Sequence, residues 1–261
     1  MRSKSIITLL TDFGSKDGYV GAMKGVILGL NPDATIVDLT HEISPGDIGT
    51  AAFVLAQAAP YFPSGTIHVI VVDPCVGSER RALAVEANNS YFLAPDNGVL
   101  KWIFVQNSDC RVIHLNESKY FLPHVSRTFH GRDVFAPVAA HLSSGVPFDD
   151  LGQPIEDFVH GEISRPARNG NILVGQIIYV DRFGNLISNI TEKELSGAIQ
   201  EIRIGEICLF GLNECYGQSR VGEPLAIIGS HGFLEIAVRE GNAANALHIS
   251  VGDKVAVLLA K

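Results

Sequence analysis

The chain opens with Ile6–Leu10, a run broken only by Thr8, the pattern of a strand covered on both faces. The period then changes. Val20, Met23, Val26, Ile27 and Leu30 recur at helical spacing, which predicts a helix over Tyr19–Leu30 that Asn31-Pro32 stops. Thr35–Leu39 reads as a second strand. Asp47 stands where an N-cap belongs, for a helix running through Ala59 that Pro60 ends. Thr66–Val72 is a third strand, β-branched and almost wholly apolar. Arg81–Ala87 and Ser90–Leu93, joined by Asn88-Asn89, read as a hairpin, and Val134–Leu142 as a further helix. Strands alternating with helices predict an α/β domain built on a mainly parallel sheet.

From Val146 to Asn171 the periodicity fades, and Pro147, Pro154 and Pro166 punctuate a stretch that reads as a domain connection. Short β-rich runs follow: Ile172–Val180, Leu186–Ile190, Ile202–Phe210, Pro224–Ile228, Phe233–Val238 and Lys254–Leu259, with one short helix near Thr191–Ala198. Their spacing predicts a smaller all-β domain, barrel-like or a sandwich. The expected domains are therefore 1–165 and 172–261.

Composition narrows the picture. In 261 residues the hydrophobic share is 46% and the charged share 18%, which describes a globular chain with a real core. The net charge of −8 and scattered basic residues argue against a nucleic-acid-binding surface. No apolar stretch approaches the ~18 residues of a membrane span, and the N-terminal residues lack a signal-peptide pattern. Cys75, Cys110, Cys208 and Cys215 form no C-x-x-C pair and are expected to be reduced, mostly buried thiols of a cytoplasmic protein.

Two motifs put an acid at the exit of an apolar run and follow it with an aromatic residue and a glycine: Thr11-Asp12-Phe13-Gly14 and Asp181-Arg182-Phe183-Gly184-Asn185. In α/β folds ligands sit outside the carboxyl ends of strands. Asp and Gly also favour turns for steric reasons alone, so either motif by itself fits a plain turn. Asp73 leaves the third strand into Pro74-Cys75-Val76-Gly77-Ser78, and Arg80 follows close enough to fold back onto it. Such a pair is either a loop clamp or a carboxylate held ionised to orient a water or a substrate group. Thr128-Phe129-His130-Gly131-Arg132-Asp133 leads into a helix, and His130 is a candidate general base or water-orienting group. Gly229-Ser230-His231-Gly232-Phe233 and Gly241-Asn242-Ala243-Ala244 read as loops where backbone groups approach a ligand. Kinase, Walker A and dinucleotide signatures are incomplete or missing, and no His and carboxylate cluster has convincing metal-ligand spacing.

Taken in order, these segments resemble the S-adenosylmethionine hydroxide adenosyltransferase family, the SAM hydrolases, which is related to fluorinases and chlorinases. Tyr19-Val20-Gly21-Ala22-Met23-Lys24-Gly25 and Ala94-Pro95-Asp96-Asn97-Gly98 add to the resemblance, which spans nearly the whole chain. Cys75 departs from the glycine common there. The resemblance implies that Asp73, Arg80 and His130 form a water-activating triad and that Asp12 holds the ribose hydroxyls. It implies that Thr128 and Phe129 line the nucleoside pocket, that Phe183, Asn185 and the Ala243 backbone meet adenine, and that Asp181 and Ser230 hold the amino-acid group. It further implies a homotrimer whose sites lie between neighbouring subunits, with SAM as substrate and neither metal nor cofactor.

The chemistry fits these residues. A sulfonium makes the thioether an excellent neutral leaving group, so the reaction lacks only a positioned nucleophile. An Asp–Arg–His cluster can orient water and draw on its proton, with the base shared among coupled groups. A carboxylate there would repel a halide, and the Ala87–Ser90 connection is very short where fluorinases resemble this family but carry a long insertion. Both favour hydrolase over halogenase. A non-catalytic SAM or adenosine-binding module would not need Asp73, Arg80 and His130 together, and a hydrolase of another nucleoside is the remaining alternative.

Overall fold

The computed structural model of the chain describes residues 5–260. It divides into two compact units, with the boundary between Ile163 and Ser164.

The first unit is built on seven strands. These are β1 (Ile6–Thr11), β2 (Thr35–Thr40), β3 (Ile67–Val71), β4 (Ala82–Ala87), β5 (Ser90–Pro95), β6 (Arg111–Leu115) and β7 (Gly152–Pro154). Their order across the sheet is β2-β1-β3-β5-β4-β6-β7. Helices cover both faces. Ile7, Leu9, Val69 and Val71 join one core with Met23 and Ile27 of α1 (Tyr19–Leu30). Leu10, Ile70 and Val72 join another with Ala51 and Leu55 of α2 (Ile48–Ala58) and Ile103 of α3 (Lys101–Gln106). The last helix of this unit, α4 (Ala136–Ser143), packs with α1 on the first face. Neighbouring residues of one strand thus enter opposite cores, which is why β1 and β3 carry unbroken apolar runs. Each fully buried Leu or Ile contributes about 1.5–3 kcal/mol. Asp47 caps α2 as its position predicts, accepting a hydrogen bond from Thr50 N–H at 2.9 Å.

The sheet is mixed, not mainly parallel. β2, β1, β3 and β5 run parallel, whereas β4, β6 and β7 join as antiparallel neighbours. The hairpin itself is the reason. Asn88 and Asn89 both take positive φ, 48° and 57°, and a two-residue turn of that kind can only join antiparallel strands. The helix expected at Val134–Leu142 begins with a π-helical turn over Gly131–Phe135 before α4. Helix α3 and strands β6 and β7 had no signal in the sequence pattern; α3 is only six residues long, too short to show a period. Much of the presumed connection belongs to this unit. Ile155 and Phe158 pack against its second core, and Arg81 pairs with both Asp96 and Asp157.

The second unit holds β8 (Ala167–Asn169), β9 (Ile172–Val180), β10 (Leu186–Thr191), β11 (Ile199–Ile204), β12 (Ile207–Leu209), β13 (Pro224–Ile228), β14 (Phe233–Val238) and β15 (Lys254–Leu259). The path β12-β11-β15-β9-β10-β14-β13 curls into a nearly barrel-shaped sheet, with Asn213 bridging to Ile227 of β13. Leu173, Ile177, Leu186, Ile190, Ile202, Ile204, Leu234 and Ile236 fill its core. The single run expected at Ile202–Phe210 is a hairpin, because Gly205 takes φ +54° and turns the chain. Near Thr191–Ala198 there is a short 3₁₀ turn, Glu192–Glu194, with a Thr191/Glu194 capping box. Five residues after Asn242 form α5 (Ala243–Leu247) where a loop was expected.

The cysteines correct another expectation. All four are free, but Cys75, Cys208 and Cys215 are exposed and Cys110 is half-buried, since Cys75 lies in a turn and Cys208 on the outward face of β12. No helix among the described residues is long and apolar enough to cross a membrane.

Candidate active site

The parallel strands β1 and β3 end side by side, and each delivers an acid at its carboxyl end: Asp12 and Asp73. Asn97 donates its side-chain N–H to the carbonyl of Val72 at 2.9 Å, fixing the residue just before Asp73. The chain then turns at Gly77, whose φ of +79° brings it against the backbone of Arg127 so closely that a methyl group would strike the Arg127 carbonyl. That approach lays the Asp73 loop against the segment carrying Thr128, Phe129 and His130.

Asp73, Arg80 and His130 meet there. Arg80 Nε donates to Asp73 Oδ2 at 2.8 Å and Arg80 Nη2 reaches His130 Nδ1 at 2.7 Å. The two charged side chains are deeply buried, 3% and 8% exposed, which is what makes this pair more than a surface clamp. Phe135, fully buried, has the guanidinium carbon 5.8 Å from its ring centroid. Because a guanidinium can only donate, His130 Nδ1 must accept, so the neutral imidazole carries its proton on Nε2. Burial, and then the charge of Arg80, push the His130 pKa below its ordinary value against the opposing pull of Asp73 and Asp133. The imidazole is therefore neutral at pH 7.

Asp73 Oδ1 is buried and has no hydrogen-bond partner among the described residues. Asp73 lines a cavity of about 40 Å³ together with Asp12, Phe13, Val71, Val76, Thr128, Phe129, His130 and Gly131. A water needs roughly 10–15 Å³ of such space and two or more polar partners, so this cavity suits a small polar nucleophile. Asp12 is held from afar, with Oδ2 accepting the Gly46 N–H at 2.8 Å. The loop bearing His130 is anchored by Asp133, fully buried, which accepts from Ser126 N–H at 2.8 Å and from Arg132 Nε at 2.6 Å. A π-helical turn, common at functional sites, starts directly after His130, whose own backbone is already helical at φ −62° and ψ −24°. Asn97, Gly46 and Asp133 went unassigned in sequence; only the glycine of the Pro74–Ser78 turn hinted at a close approach.

In the second unit the Asp181–Asn185 motif closes on itself. Asp181 Oδ1 accepts the N–H groups of Phe183 and Asn185 at 2.9 and 2.8 Å, and Oδ2 accepts from the Asn185 side chain at 2.9 Å. Gly184 takes φ +86°, and its carbonyl accepts the Ala244 N–H at 2.9 Å, which fastens this loop to Gly241–Ala244. Phe183 stands 76% exposed, while Asn185 and Ala243 are buried. Ser230 is exposed, and its neighbour Gly229 lies against Glu235, a buried acid given no role in the sequence reading, which accepts from Tyr216 Oη at 2.6 Å. Burial, the contribution of Asp181 adding to it, raises the Glu235 pKa.

With this geometry in view, the chain matches the SAM hydroxide adenosyltransferase N-terminal domain over residues 7–152 and the C-terminal domain over residues 175–256. The chain belongs to the SAM hydroxide adenosyltransferase family. A relative from Methanocaldococcus jannaschii named (R)-S-adenosyl-L-methionine hydrolase is 36% identical, over 97% of this chain and 95% of its own. A fluorinase from an Actinoplanes species is more distant, 26% identical over 97% of each chain. A crystal structure of an uncharacterized conserved protein from Thermotoga maritima superposes with a TM-score of 0.91 at 35% identity, covering 97% of this chain and 99% of that one.

Proposed function

We propose that the protein hydrolyses S-adenosyl-L-methionine to adenosine and L-methionine by attack of a water at C5′. The observation that carries this reading is Asp73, which lines a water-sized cavity with His130, is held by Arg80 through Oδ2, and keeps a buried Oδ1 with no hydrogen-bond partner among the described residues. Arg80 has no acceptor to offer and His130 Nδ1 is already used. Asp73 Oδ1 is thus the group of the three that can draw off the water's proton, while His130 Nε2–H can hold the water's oxygen. The electron pair of the C5′–S bond leaves with sulfur as a neutral thioether, so the residues need supply neither a general acid nor a cofactor.

Asp12 holds the ribose hydroxyls in this reading, and Thr128 and Phe129 line the nucleoside pocket. Phe183, Asn185 and the Ala243 backbone meet adenine, and Ser230 and Asp181 hold the amino-acid group, the Asp181 carboxylate having acceptor capacity beyond its three loop hydrogen bonds. The name of the Methanocaldococcus relative adds a detail. Its L fixes the α-carbon, so its R describes the sulfonium, and we take that epimer as the substrate here. A homotrimer that builds each site from two subunits, as the family resemblance implies, and a reducing cytoplasmic setting suited to four free cysteines complete the proposal.

Two observations weigh against a halogenase: the Asp73 carboxylate on the cavity and the two-residue turn at Asn88-Asn89. The alignment with the fluorinase runs over 288 positions, more than the 261 residues of this chain, so the fluorinase carries insertions this chain lacks. The test is incubation with each sulfonium epimer in halide-free buffer and again with chloride. Adenosine and methionine formed from the R epimer, indifferent to chloride, support the reading. A 5′-chloro-nucleoside overturns it, as does tight binding without turnover.

A further inference from the structure

A second cavity, about 290 Å³, is lined by Phe13, Tyr19, Ser126, Thr128, Phe129 and Arg132. It shares Phe13, Thr128 and Phe129 with the small cavity beside Asp73. Its rings form a triangle. Phe13 and Phe129 lie 5.7 Å apart edge to face, Tyr19 and Phe129 5.2 Å apart edge to face, and Phe13 and Tyr19 5.7 Å apart and tilted. A group seated against these rings can lie within about 6 Å of their centroids, the reach of a cation–π attraction to a ring that turns its face toward it. The protein itself seats a cation here, the Arg132 guanidinium carbon being 4.9 Å from the Phe129 centroid. The charge of Arg132 is offset by its two-point pairing with Asp133. Tyr19 is 50% exposed and so contributes little to the core.

The hydrolase reading, on which this inference rests, fixes where the leaving group goes. Attack in line with the breaking bond puts sulfur about 5 Å beyond the water oxygen, on the far side of C5′. The rings common to both cavities stand at that junction. We propose that Phe13, Tyr19 and Phe129 seat the sulfonium and select it over the neutral thioether. As oxygen bonds to C5′ and the C–S electron pair passes to sulfur, the positive charge vanishes. The seat therefore holds the substrate more tightly than the transition state, which lowers KM without raising kcat, and it loosens its grip on the thioether product.

The experiment measures kcat and KM for SAM, and Ki for S-adenosylhomocysteine as the neutral analogue, in Tyr19→Leu, Phe13→Leu and Tyr19→Phe. Each leucine variant should raise KM about 2- to 30-fold, with kcat unchanged or higher and Ki within about twofold of wild type. Tyr19→Phe, which keeps the ring, should bring KM back toward the wild-type value. KM and Ki rising in parallel would show plain apolar packing and overturn the proposal, as would a fall in kcat at constant KM. Tyr19 is half exposed, so its variants read the seat without a folding defect. If wild type itself releases no adenosine, the hydrolase reading fails instead. Calorimetric affinities for the same two ligands, SAM and S-adenosylhomocysteine, then decide the seat separately.

Discussion

Asp73 and Asp181 both leave an apolar strand into a glycine-bearing turn, yet the two regions use their acid in opposite ways. Asp181 spends its carboxylate on the backbone and amide of its own loop, within four residues. Asp73 is bound by Arg80, which in turn reaches His130, fifty residues further on, and Asp73 keeps one oxygen unspent. A locally satisfied acid builds a rigid turn and presents backbone. An acid satisfied from a distance keeps acceptor capacity free to act on a ligand. Asp12 belongs with the second kind, held by Gly46 from another segment.

The sharpest way to break this contrast is to neutralise each acid isosterically. Asp73→Asn should slow turnover at least about a hundredfold with substrate affinity largely kept, because the proton acceptor is lost. Asp181→Asn should leave kcat near wild type, since asparagine also accepts the hydrogen bonds of such a turn. Equal losses of kcat in the two variants would erase the distinction. Next in size, Arg80→Met leaves Asp73 buried without its partner. It should destabilise the first unit by about 3–5 kcal/mol in thermal or denaturant unfolding.

Acidification should pull the two units in opposite directions. His68 is fully buried, and burial lowers its pKa to about 4. Between pH 6.5 and pH 4 the unfolded chain takes up a proton that the folded one refuses, so the first unit loses roughly 3 kcal/mol as pH falls through that window. His130, shifted the same way, adds to the loss. Glu235 is raised, so the folded second unit holds its proton longer than the unfolded chain, and its contribution improves as pH falls toward the ordinary carboxylate range. Hydrogen exchange resolved by residue at pH 7 and pH 4.5 would check both signs, and a uniform response would refute them. The smallest effect is expected from Gly184→Ala. A methyl there meets the Asn242 side chain at φ +86°, a strain of about 1–3 kcal/mol. Adenosine affinity should fall while the pH dependence of turnover, set by the first unit, stays unchanged.

Much of the site was legible in the chain. The apolar runs ending at Leu10 and Val72 located Asp12 and Asp73, and the length of the Pro74–Ser78 turn returned Arg80 to Asp73. That His130 joins them was implied only by the co-occurrence of motifs, because fifty residues of intervening chain carry no periodic signal for the contact. The second domain's strands were legible from alternation. The antiparallel half of the first sheet was not inferred, although the Asn88-Asn89 hairpin that requires it was read correctly.

By itself, then, the sequence determined most of the strands and the longer helices, where two acids leave their strands, and which family they resemble. Those are local properties, set by side-chain period, turn sterics and the order of motifs. Only the tertiary structure decided that Asp73 keeps an unpaired oxygen, that His130 presents Nε2–H, that Asp181 is braced by its own loop, and that Phe13, Tyr19 and Phe129 close into a triangle. Each of these depends on which groups distant in the chain approach within hydrogen-bond or ring-contact distance, and that is fixed by packing around the cores and not by any local preference of the residues involved.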